Sequence, residues 1–264
     1  MANDYSTITE LPYSQVTQTQ LKRVHQRYMF AKEYCNNRDV IELGCGGGQG
    51  LAIISDNAHS VIGCDIDDKN IAMASTTYES SDNITIIKMD ADNLDYGDDS
   101  FDTIVLFEAL YYLDNFKKFF KEAYRMLRNN GHLIICSTNK DWPEFNPSPF
   151  STEYLSVPEL YEISKSTGFS VNMYASFPDE KNGILDLAIS KIKRLALKIG
   201  IMPKTMKGKV LLKRIFYGGM VEYPPELHKN LFDYTAPKLI PNQQRDYIHT
   251  AIFAVCKKPE GITG

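Results

Sequence analysis

The sequence lacks long apolar runs, an apolar leader and paired cysteine motifs. None of its 264 residues lies in an apolar stretch of about 18, the length that a transmembrane helix needs. The first residues show no basic stretch followed by an apolar core, so no secretory signal is visible. The five cysteines form no C-x-x-C pair, and an odd number argues against a full disulfide framework. We therefore expect a cytoplasmic protein.

Acidic residues are missing from one long stretch. Residues 187–221 contain nine basic residues and no acidic one, which leaves 20 basic and 33 acidic residues in the rest of the chain. The formal net charge of −4 therefore hides an acidic body that carries a basic segment. A basic segment of this kind attracts anionic partners.

Short β-branched runs alternate with longer helical patterns in the first two thirds of the chain. The predicted strands are residues 40–43, 60–64, 84–89, 103–107 and 132–136, and the predicted helices are residues 50–57, 67–78 and 114–128. Asn129-Asn130-Gly131 is expected to end the last helix, before the strand at 132–136. Repeated β-α units predict parallel strands joined by right-handed crossovers, with helices on both faces. The fold class is doubly wound, Rossmann-like α/β.

The last third of the chain does not continue this alternation of strands and helices. Residues 157–167 predict a helix, residues 169–177 and 246–256 predict strands, and about 70 residues separate the two strands. Two helices are expected in that long connection. The predicted organisation is a core of residues 1–177 and 246–264, with a basic helical insertion at 178–245 that acts as a substrate lid.

The most informative segment is the glycine-rich turn VIELGCGGGQG at residues 40–50. Glycines at 44, 46 and 48 allow the backbone to approach a ligand at the start of the following helix. A dinucleotide fingerprint would need glycine where this chain has Gln49, which disfavours a nicotinamide-dependent oxidoreductase. Taken alone, the turn also fits a merely tight strand–helix connection.

Acidic residues follow the next two predicted strands. Asp65 lies 21 residues after Gly44, where a carboxylate can accept both hydroxyls of a ribose. Asp90 and Ala91 follow the third strand, where a side-chain acceptor and a backbone N–H could bind an adenine edge. Each acid alone also fits a solvated strand end or a helix cap. Because the carboxyl ends of parallel strands form the ligand-binding edge of such sheets, their joint position predicts a nucleoside site.

Taken together, these motifs resemble the class I S-adenosylmethionine-dependent methyltransferases. The resemblance is carried by VIELGCGGGQG, VIGCDID, MDADNLDYGDDSFD, LFEALYYL and LRNNGHLII, and it covers roughly residues 20–177 and the final strand. It implies a mostly parallel, seven-stranded sheet whose last strand is antiparallel. It also implies S-adenosyl-L-methionine as the cofactor and S-adenosyl-L-homocysteine as its product.

The resemblance further implies roles for particular residues. The cofactor-binding residues would be Glu42, Gly44, Cys45, Gly46 and Phe107 around the methionine portion, Asp65 at the ribose, and Ile66, Asp90 and Ala91 at the adenine. His25-Gln-Arg27-Tyr28 resembles an H-x-R-Y element of some members, in which Arg27 or Tyr28 would contact the methionine carboxylate. The alternatives are a surface position for Arg27 and a core position for Tyr28.

Methyl transfer from a sulfonium is an in-line displacement, so the protein mainly has to position the reactants and exclude water. A base is needed only for a hydroxyl acceptor. The base candidates are Glu108, Tyr111, Tyr112, Asp141, His228 and His249, of which Glu108, Tyr111 and His249 are our predicted catalytic residues. Packing roles for the tyrosines and a structural role for His249 are the alternatives. No cluster has metal-ligand spacing, so no metal is expected.

The insertion contains a predicted amphipathic helix. Apolar residues from Leu185 to Ile199 recur at three- and four-residue spacing, opposite Lys191, Arg194 and Lys198. Three interpretations stay open: a lid with a solvated lysine face, attraction of a phosphate-bearing acceptor, and peripheral contact of residues 187–214 with an anionic membrane. Nucleic acid is not expected as a partner, because the body is acidic and no stacking motif is interleaved with the basic residues.

We therefore predict a methyltransferase that acts on an oxygen or nitrogen of a small molecule or glycan precursor. The alternative is a non-catalytic, S-adenosylmethionine-binding regulatory or scaffold protein. Neither the identity of the acceptor nor the oligomeric state follows from the sequence.

Overall fold

The computed structural model describes residues 11–179 and 219–261. The strands in these ranges are β1 (Gln15–Thr17), β2 (Asp39–Leu43), β3 (Ser60–Asp65), β4 (Ile84–Lys88), β5 (Phe101–Phe107), β6 (Leu127–Thr138), β7 (Ser170–Pro178), β8 (Met220–Glu222), β9 (Lys238–Leu239) and β10 (His249–Lys257). The helices are α1 (Gln18–Lys32), α2 (Leu51–Ser55), α3 (Asp68–Thr77), α4 (Phe116–Met126) and α5 (Val157–Thr167), with a 3-10 turn at Leu110–Tyr112.

Eight strands form one sheet in the order β4-β3-β2-β5-β6-β10-β7-β9. The strands from β4 to β6 are parallel, whereas β10 is antiparallel to both of its neighbours, β6 and β7. The strand order reverses between β2 and β5, which makes their carboxyl ends the topological switch point. The predicted Rossmann-like fold is confirmed, and the two-residue edge strand β9 is an addition to the predicted seven strands.

Alternate strand residues fill an apolar core on each face of the sheet. In β5, Ile104 and Leu106 belong to one core, and Val105 and Phe107 belong to the other. Helices α4 and α5 cover the first core, and α1 and α2 cover the second. The central strands are apolar on both faces because helices exclude water from both.

Helix α4 ends at Met126, before Asn129-Asn130-Gly131, but the expectation that these residues separate the helix from the strand is wrong, because they lie inside β6. The strand begins directly after α4, and its pairing with β5 shifts register between Phe101 and Thr103. Asn130 has a φ of 64°, and its backbone N–H donates to the carbonyl of Lys258 at 3.0 Å. The turn-forming residues therefore mark an irregularity within a strand and not a loop.

Residues 219–245, the described part of the predicted insertion, contain no helix and pack against α1. Strand β8 pairs with β1 in a separate two-stranded sheet. The Gln26 side chain donates to the carbonyl of Asp233 at 2.8 Å and accepts from the N–H of Thr235 at 2.6 Å. The predicted amphipathic helix from Leu185 to Ile199 and the basic segment at 187–214 lie outside the described residues.

Three further observations bear on the sequence-based expectations. All five cysteines are buried and free of disulfides. No helix in the described part of the chain is both long enough and apolar enough to cross a membrane. Residues 11–179 and 219–261 also contain no group of three or more His, Cys, Asp or Glu side chains that could hold a metal ion.

Candidate functional site

The glycine-rich turn joins β2 to α2 at the carboxyl edge of the sheet. Gly44, Gly46 and Gly48 have φ values of 72°, 58° and 82°, in the left-handed region that favours glycine. A Cβ atom on Gly44 would lie 2.9 Å from the Cβ atom of Ala109. Within residues 44–50, Gly44 is the partly exposed position. Gly44 is therefore the point at which a ligand can approach the turn backbone.

The turn is supported from behind by two segments that are distant in sequence. A side chain at Gly50 would overlap the ring of Tyr28 on α1. The backbone N–H of Leu227 donates to the carbonyl of Gln49 at 2.7 Å. Helix α1 and segment 219–245 together therefore fix the conformation of the turn.

Glu42, the acidic residue of the turn motif, is fully buried at the end of β2. Its Oε1 accepts a hydrogen bond from the Tyr28 hydroxyl at 2.6 Å, whereas its Oε2 has no partner among the described residues. Burial raises the pKa of Glu42 to about 8, against the opposing hydrogen bond from Tyr28. A buried oxygen without a donor is costly unless a ligand provides one. The ammonium group of a methionine moiety provides such donors, so Glu42 fits the expected cofactor.

Asp65, the last residue of β3, is held by three donors. Its Oδ2 accepts from the N–H of Gly46 at 2.9 Å, and its Oδ1 accepts from the N–H of Asp67 at 2.9 Å and from Asn70 Nδ2 at 3.1 Å. Burial raises the pKa of Asp65 in spite of these bonds. A carboxylate has about four acceptor positions, so Asp65 braces the turn and keeps capacity for a ribose hydroxyl.

The residues predicted at the adenine follow β3 and β4. The backbone N–H of Met89 donates to the carbonyl of Asp65 at 3.0 Å, which aligns the two strand ends. Ile66 is 44% exposed, and Ala91 is half-buried. Asp90 is exposed, and its carboxylate accepts a bond from the backbone two residues later at 2.9 Å. Ile66 and Ala91 can therefore form an apolar surface for the predicted adenine, with Asp90 at its polar rim.

Cys45 and Phe107 are buried beside the turn. The Phe107 ring packs edge-on against Tyr28 and Phe253, with centroid distances of 5.4 and 6.5 Å. Burial raises the pKa of the Cys45 thiol well above its ordinary value. Both side chains shape the wall around the turn, and their contact with a cofactor stays a prediction.

Glu108 follows β5 directly and has a left-handed φ of 52°. Its Oε1 lies 3.0 Å from Arg27 Nη2, and its Oε2 accepts from the Tyr111 hydroxyl at 3.0 Å and from Thr138 Oγ1 at 2.8 Å. Its backbone N–H donates to the carbonyl of Cys136 at 2.8 Å. A left-handed conformation costs a non-glycine residue about 1–2 kcal/mol, so these contacts hold a strained residue at the switch point.

The H-x-R-Y segment divides between three partners. Arg27 faces Glu108, Tyr28 binds Glu42, and His25 Nε2 lies 3.1 Å from the carbonyl of Lys229. Burial acts to lower the pKa of Arg27, but the Glu108 carboxylate outweighs it and raises the pKa. Arg27 Nε is buried without a hydrogen-bond partner among the described residues. The guanidinium therefore keeps an unused donor.

Tyr111 is part of an aromatic stack. Its ring lies 4.1 Å from that of Tyr154 with an interplanar angle of 21°. Burial raises the pKa of Tyr111 well above its ordinary value, so its hydroxyl is protonated at neutral pH and donates to Glu108. In this arrangement Tyr111 is a donor and not a base.

His249, the first residue of β10, lies at the same edge of the sheet as Glu108. Its Nδ1 is 2.8 Å from Asp246 Oδ2, and its carbonyl accepts from Asn139 Nδ2 at 2.8 Å. Asn139 also donates to the carbonyl of Asp246 at 2.7 Å. An aspartate on Nδ1 leaves Nε2 as the ring nitrogen that can exchange a proton.

Asp141 and His228 lie away from Glu108, whereas the Tyr112 ring packs against Tyr111 with a centroid distance of 4.6 Å. The Tyr112 hydroxyl donates to Ser148 at 2.7 Å, and Asp141 pairs with Arg245 at 2.8 Å. The side chain of His228 is 77% exposed. These positions favour the group around Glu108 over the other three candidates.

Three side chains that complete the site are missing from the sequence-based prediction. They are Asn70, Thr138 and Asn139, which bond Asp65, Glu108 and the Asp246–His249 pair. Asn70 lies in the first turn of α3, and the other two end β6. Polar residues at carboxyl ends of strands are a usable signal, but the partner of each comes from another element.

Part of the chain is similar in sequence to known methyltransferases. Residues 41–135 match the methyltransferase domain family. A probable S-adenosylmethionine-dependent methyltransferase from Mycolicibacterium smegmatis is 34% identical over 143 residues, 52% of this chain and 54% of that protein. One from Mycobacterium tuberculosis is 30% identical over 141 residues, 51% of this chain and 50% of that protein. The chain therefore spans about half the length of these relatives.

The fold also agrees with a solved structure. The YcgJ protein from Bacillus subtilis superposes with a TM-score of 0.57 at 14% identity, over 90% of this chain and 100% of that one. The family match covers the glycine turn, Asp65 and Glu108. Residues 41–135 therefore resemble the methyltransferase domain family, and the similar S-adenosylmethionine-dependent methyltransferases imply S-adenosyl-L-methionine as the cofactor.

Proposed function

We propose that this chain transfers a methyl group from S-adenosyl-L-methionine to an oxygen or nitrogen atom of a small molecule or glycan precursor. The observation that carries the proposal is the buried, unpartnered Oε2 of Glu42. It lies two residues before Gly44, whose backbone geometry admits no side chain. A carboxylate next to such a turn is suited to an amino acid ammonium.

The bound cofactor supplies a methyl group on a sulfonium, which is a good leaving group. Glu42 would accept from the ammonium, Asp65 would accept from the ribose, and Ile66 would pack on the base. Because the pKa of Glu42 is about 8 without a ligand, an ammonium beside it favours the ionised form. Binding near neutral pH should therefore release a proton from Glu42.

The Arg27–Glu108 pair would position the acceptor. Glu108 is fixed by Arg27, Tyr111 and Thr138, so it need not rearrange when the acceptor binds. Its unused lone pairs can accept from an acceptor N–H or O–H group. Fixed orientation of two reactants contributes up to about 7–11 kcal/mol in ideal cases.

For a hydroxyl acceptor we assign proton removal to His249 in preference to Glu108. Both Glu108 oxygens already accept bonds, whereas His249 uses Nδ1 on Asp246 and has Nε2 left. An amine acceptor would need no base if it arrives unprotonated. The insertion at 178–245 is retained in this proposal as the substrate lid.

Methyl transfer can be tested with S-adenosylmethionine that carries a labelled methyl group. The purified protein is incubated with a fractionated cell extract, and label is counted in soluble metabolites, lipids and precipitated macromolecules. We expect label in the soluble or lipid fraction, and its loss in a Gly44→Ala variant. A Gly97→Ala variant is the matched control, because the added Cβ would lie 3.8 Å from its nearest neighbour.

The same experiment separates the enzyme from the non-catalytic alternative. Calorimetry with S-adenosyl-L-homocysteine reports binding without any acceptor. Binding without label in any fraction would favour a regulatory or scaffold protein. Absence of binding would contradict the proposed function altogether.

A further inference from the structure

Arg23 lies one helical turn before Arg27 on α1 and is half-buried. Its guanidinium forms no ion pair and no hydrogen bond among the described residues. It lies over the ring of Phe177, with 5.4 Å between the guanidinium carbon and the ring centroid. Arginine carries five N–H donors, so this side chain has a large unused bonding capacity.

The charged groups around Arg23 in the described part of the chain do not form an ion pair with it. Arg27 is on the same helix, Glu108 follows β5, and Asp179 follows β7. Glu108 is already paired with Arg27 at 3.0 Å. Burial and Arg27 lower the pKa of Arg23, and the two carboxylates oppose this without reversing it. A partly desolvated cation of this kind gains free energy when an anion joins it.

Arg23 lies beside β7, whereas the glycine turn follows β2, on the other side of β5, β6 and β10 in the sheet. Two arginines of α1 reach the carboxyl edge, Arg27 near the end of β5 and Arg23 near Phe177 at the end of β7. The strand order between them is β5-β6-β10-β7. At about 4.8 Å per strand, β5 and β7 are roughly 14 Å apart. Glu108, Thr138 and His249 lie at strand ends within this span.

We propose that Arg23 binds an anionic group of the methyl acceptor, a carboxylate or a phosphate, while the reacting atom lies near Glu108. The acceptor is therefore an anionic molecule whose charged group is on the order of 10 Å from the methylated atom. This inference rests on the proposed function and adds the chemical class of its substrate. It places the recognition of charge on α1, independently of the basic segment at 187–214.

The charge of the product is the first test. The labelled product from the extract is passed over an anion-exchange resin at neutral pH, before and after phosphatase treatment. We expect the label to be retained; release by phosphatase identifies a phosphate, and continued retention identifies a carboxylate. Label in the flow-through of the untreated sample would overturn the inference while leaving methyl transfer intact.

The second test needs no turnover. Inorganic phosphate and acetate are titrated into protein saturated with S-adenosyl-L-homocysteine, using wild type, Arg23→Gln, Arg23→Lys and the exposed neighbour Lys22→Gln. We expect saturable binding of at least one anion, weakened at least tenfold in Arg23→Gln and less in Arg23→Lys, with Lys22→Gln unchanged. Thermal unfolding should be unaffected, since Arg23 forms no ion pair among the described residues.

Two outcomes would overturn the assignment. One is that wild type binds neither anion, or that Arg23→Gln binds both as wild type does. The other is that Arg23→Gln loses affinity for S-adenosyl-L-homocysteine, which would assign Arg23 to the cofactor carboxylate. Failure of wild type to bind S-adenosyl-L-homocysteine would instead contradict the proposed function, so the two failures are distinguishable.

Discussion

At the amino edge of the sheet the charged side chains satisfy one another, whereas at the carboxyl edge several buried polar atoms have no described partner. Arg128 Nη1 lies 2.8 Å from both Asp39 and Asp102, and Asp39 also bonds His59 and Ser60 at 2.7 Å each. At the opposite edge, the unpartnered atoms include Glu42 Oε2, Arg27 Nε and Asn70 Oδ1.

The difference shows how one sheet separates stability from binding. A closed network of ion pairs at the amino edge has little capacity left for a ligand. Unused donors and acceptors at the carboxyl edge are a cost to the free protein and a source of affinity for a ligand that matches them. Substitutions at the carboxyl edge should therefore change binding most, and substitutions at the amino edge should change stability alone.

The largest effect is expected for Gly44→Ala. A left-handed φ costs an alanine about 1–2 kcal/mol, and the new methyl would also meet Ala109 at 2.9 Å. We expect affinity for S-adenosyl-L-homocysteine to fall by more than about tenfold and the free energy of unfolding to fall by about 2 kcal/mol. Calorimetry and urea denaturation measure the two. Equal affinity in Gly44→Ala and Gly97→Ala would remove the turn from the site.

Asp65→Ala should change both binding and stability, because Asp65 braces the turn and also has capacity for a ligand. Loss of its charged hydrogen bonds should weaken binding of S-adenosyl-L-homocysteine by about 1–3 kcal/mol. Loss of the bond to Gly46 should also lower the free energy of unfolding by about 1 kcal/mol. The exposed Asp82→Ala is the control. Unchanged affinity would show that Asp65 is purely structural.

Glu42→Gln should separate binding from stability. Glutamine resembles the protonated Glu42 and can still accept the Tyr28 hydroxyl, so the free energy of unfolding at neutral pH should not fall. Affinity for S-adenosyl-L-homocysteine should fall by about tenfold, because a neutral amide replaces a charged acceptor. Titration in buffers of different ionisation enthalpy should show proton release in wild type and none in the variant. Equal proton release in both would contradict the role of Glu42.

The raised pKa of Glu42 also predicts a pH dependence of stability. The pKa of Glu42 in the folded protein is about 8, above its ordinary value of 4.5. Protonation of Glu42 therefore stabilises the folded protein by its full amount below about pH 4.5. This contribution is lost as the pH rises towards 8. The stability of wild type relative to Glu42→Gln should therefore decrease over this range in urea denaturation. A constant difference would mean that Glu42 is ionised in the free protein.

The smallest effect is expected at the amino edge, in Arg128→Ala. Removal of a partly exposed ion-pair partner should lower the free energy of unfolding by about 1 kcal/mol, less in high salt, and leave cofactor affinity unchanged. Hydrogen bonds from His59, Ser60 and Arg128 lower the pKa of Asp39. The bonds of the Asp39 carboxylate therefore stabilise the folded protein above the ordinary pKa of Asp39, 3.8, and this stabilisation is lost in stronger acid. A change in cofactor affinity would contradict the separation of the two edges.

The regular part of the fold follows from local patterns. Helix α5 begins and ends at the predicted residues, because a Ser156–Glu159 capping box starts it and Gly168 ends it with a φ of 114°. The position of Asn129-Asn130-Gly131 was predicted wrongly, because the same residue types occur both in loops and at irregularities within strands. The choice between these depends on pairing with β5, which no local pattern encodes.

The site also has residues whose positions follow from local patterns and residues whose contacts depend on the tertiary fold. Glu42, Gly44 and Asp65 lie at strand ends, and their positions follow from the strand pattern. The partners of Glu108 do not, because Arg27, Tyr111 and Thr138 come from α1, the 3-10 turn and β6. Nothing in the sequence indicates that Arg23 lacks an ion-pair partner within residues 11–179 and 219–261, since that depends on which carboxylates the fold brings near.

The central position of β10 has a consequence for the order of folding during synthesis. This strand follows all the others in the described chain, yet it fills the gap between β6 and β7 with antiparallel ladders on both sides. While the ribosome is still producing residues 249–257, β6 and β7 each expose an unpaired edge. Such edges favour aggregation, so the nascent chain should need chaperone protection until its last strand emerges.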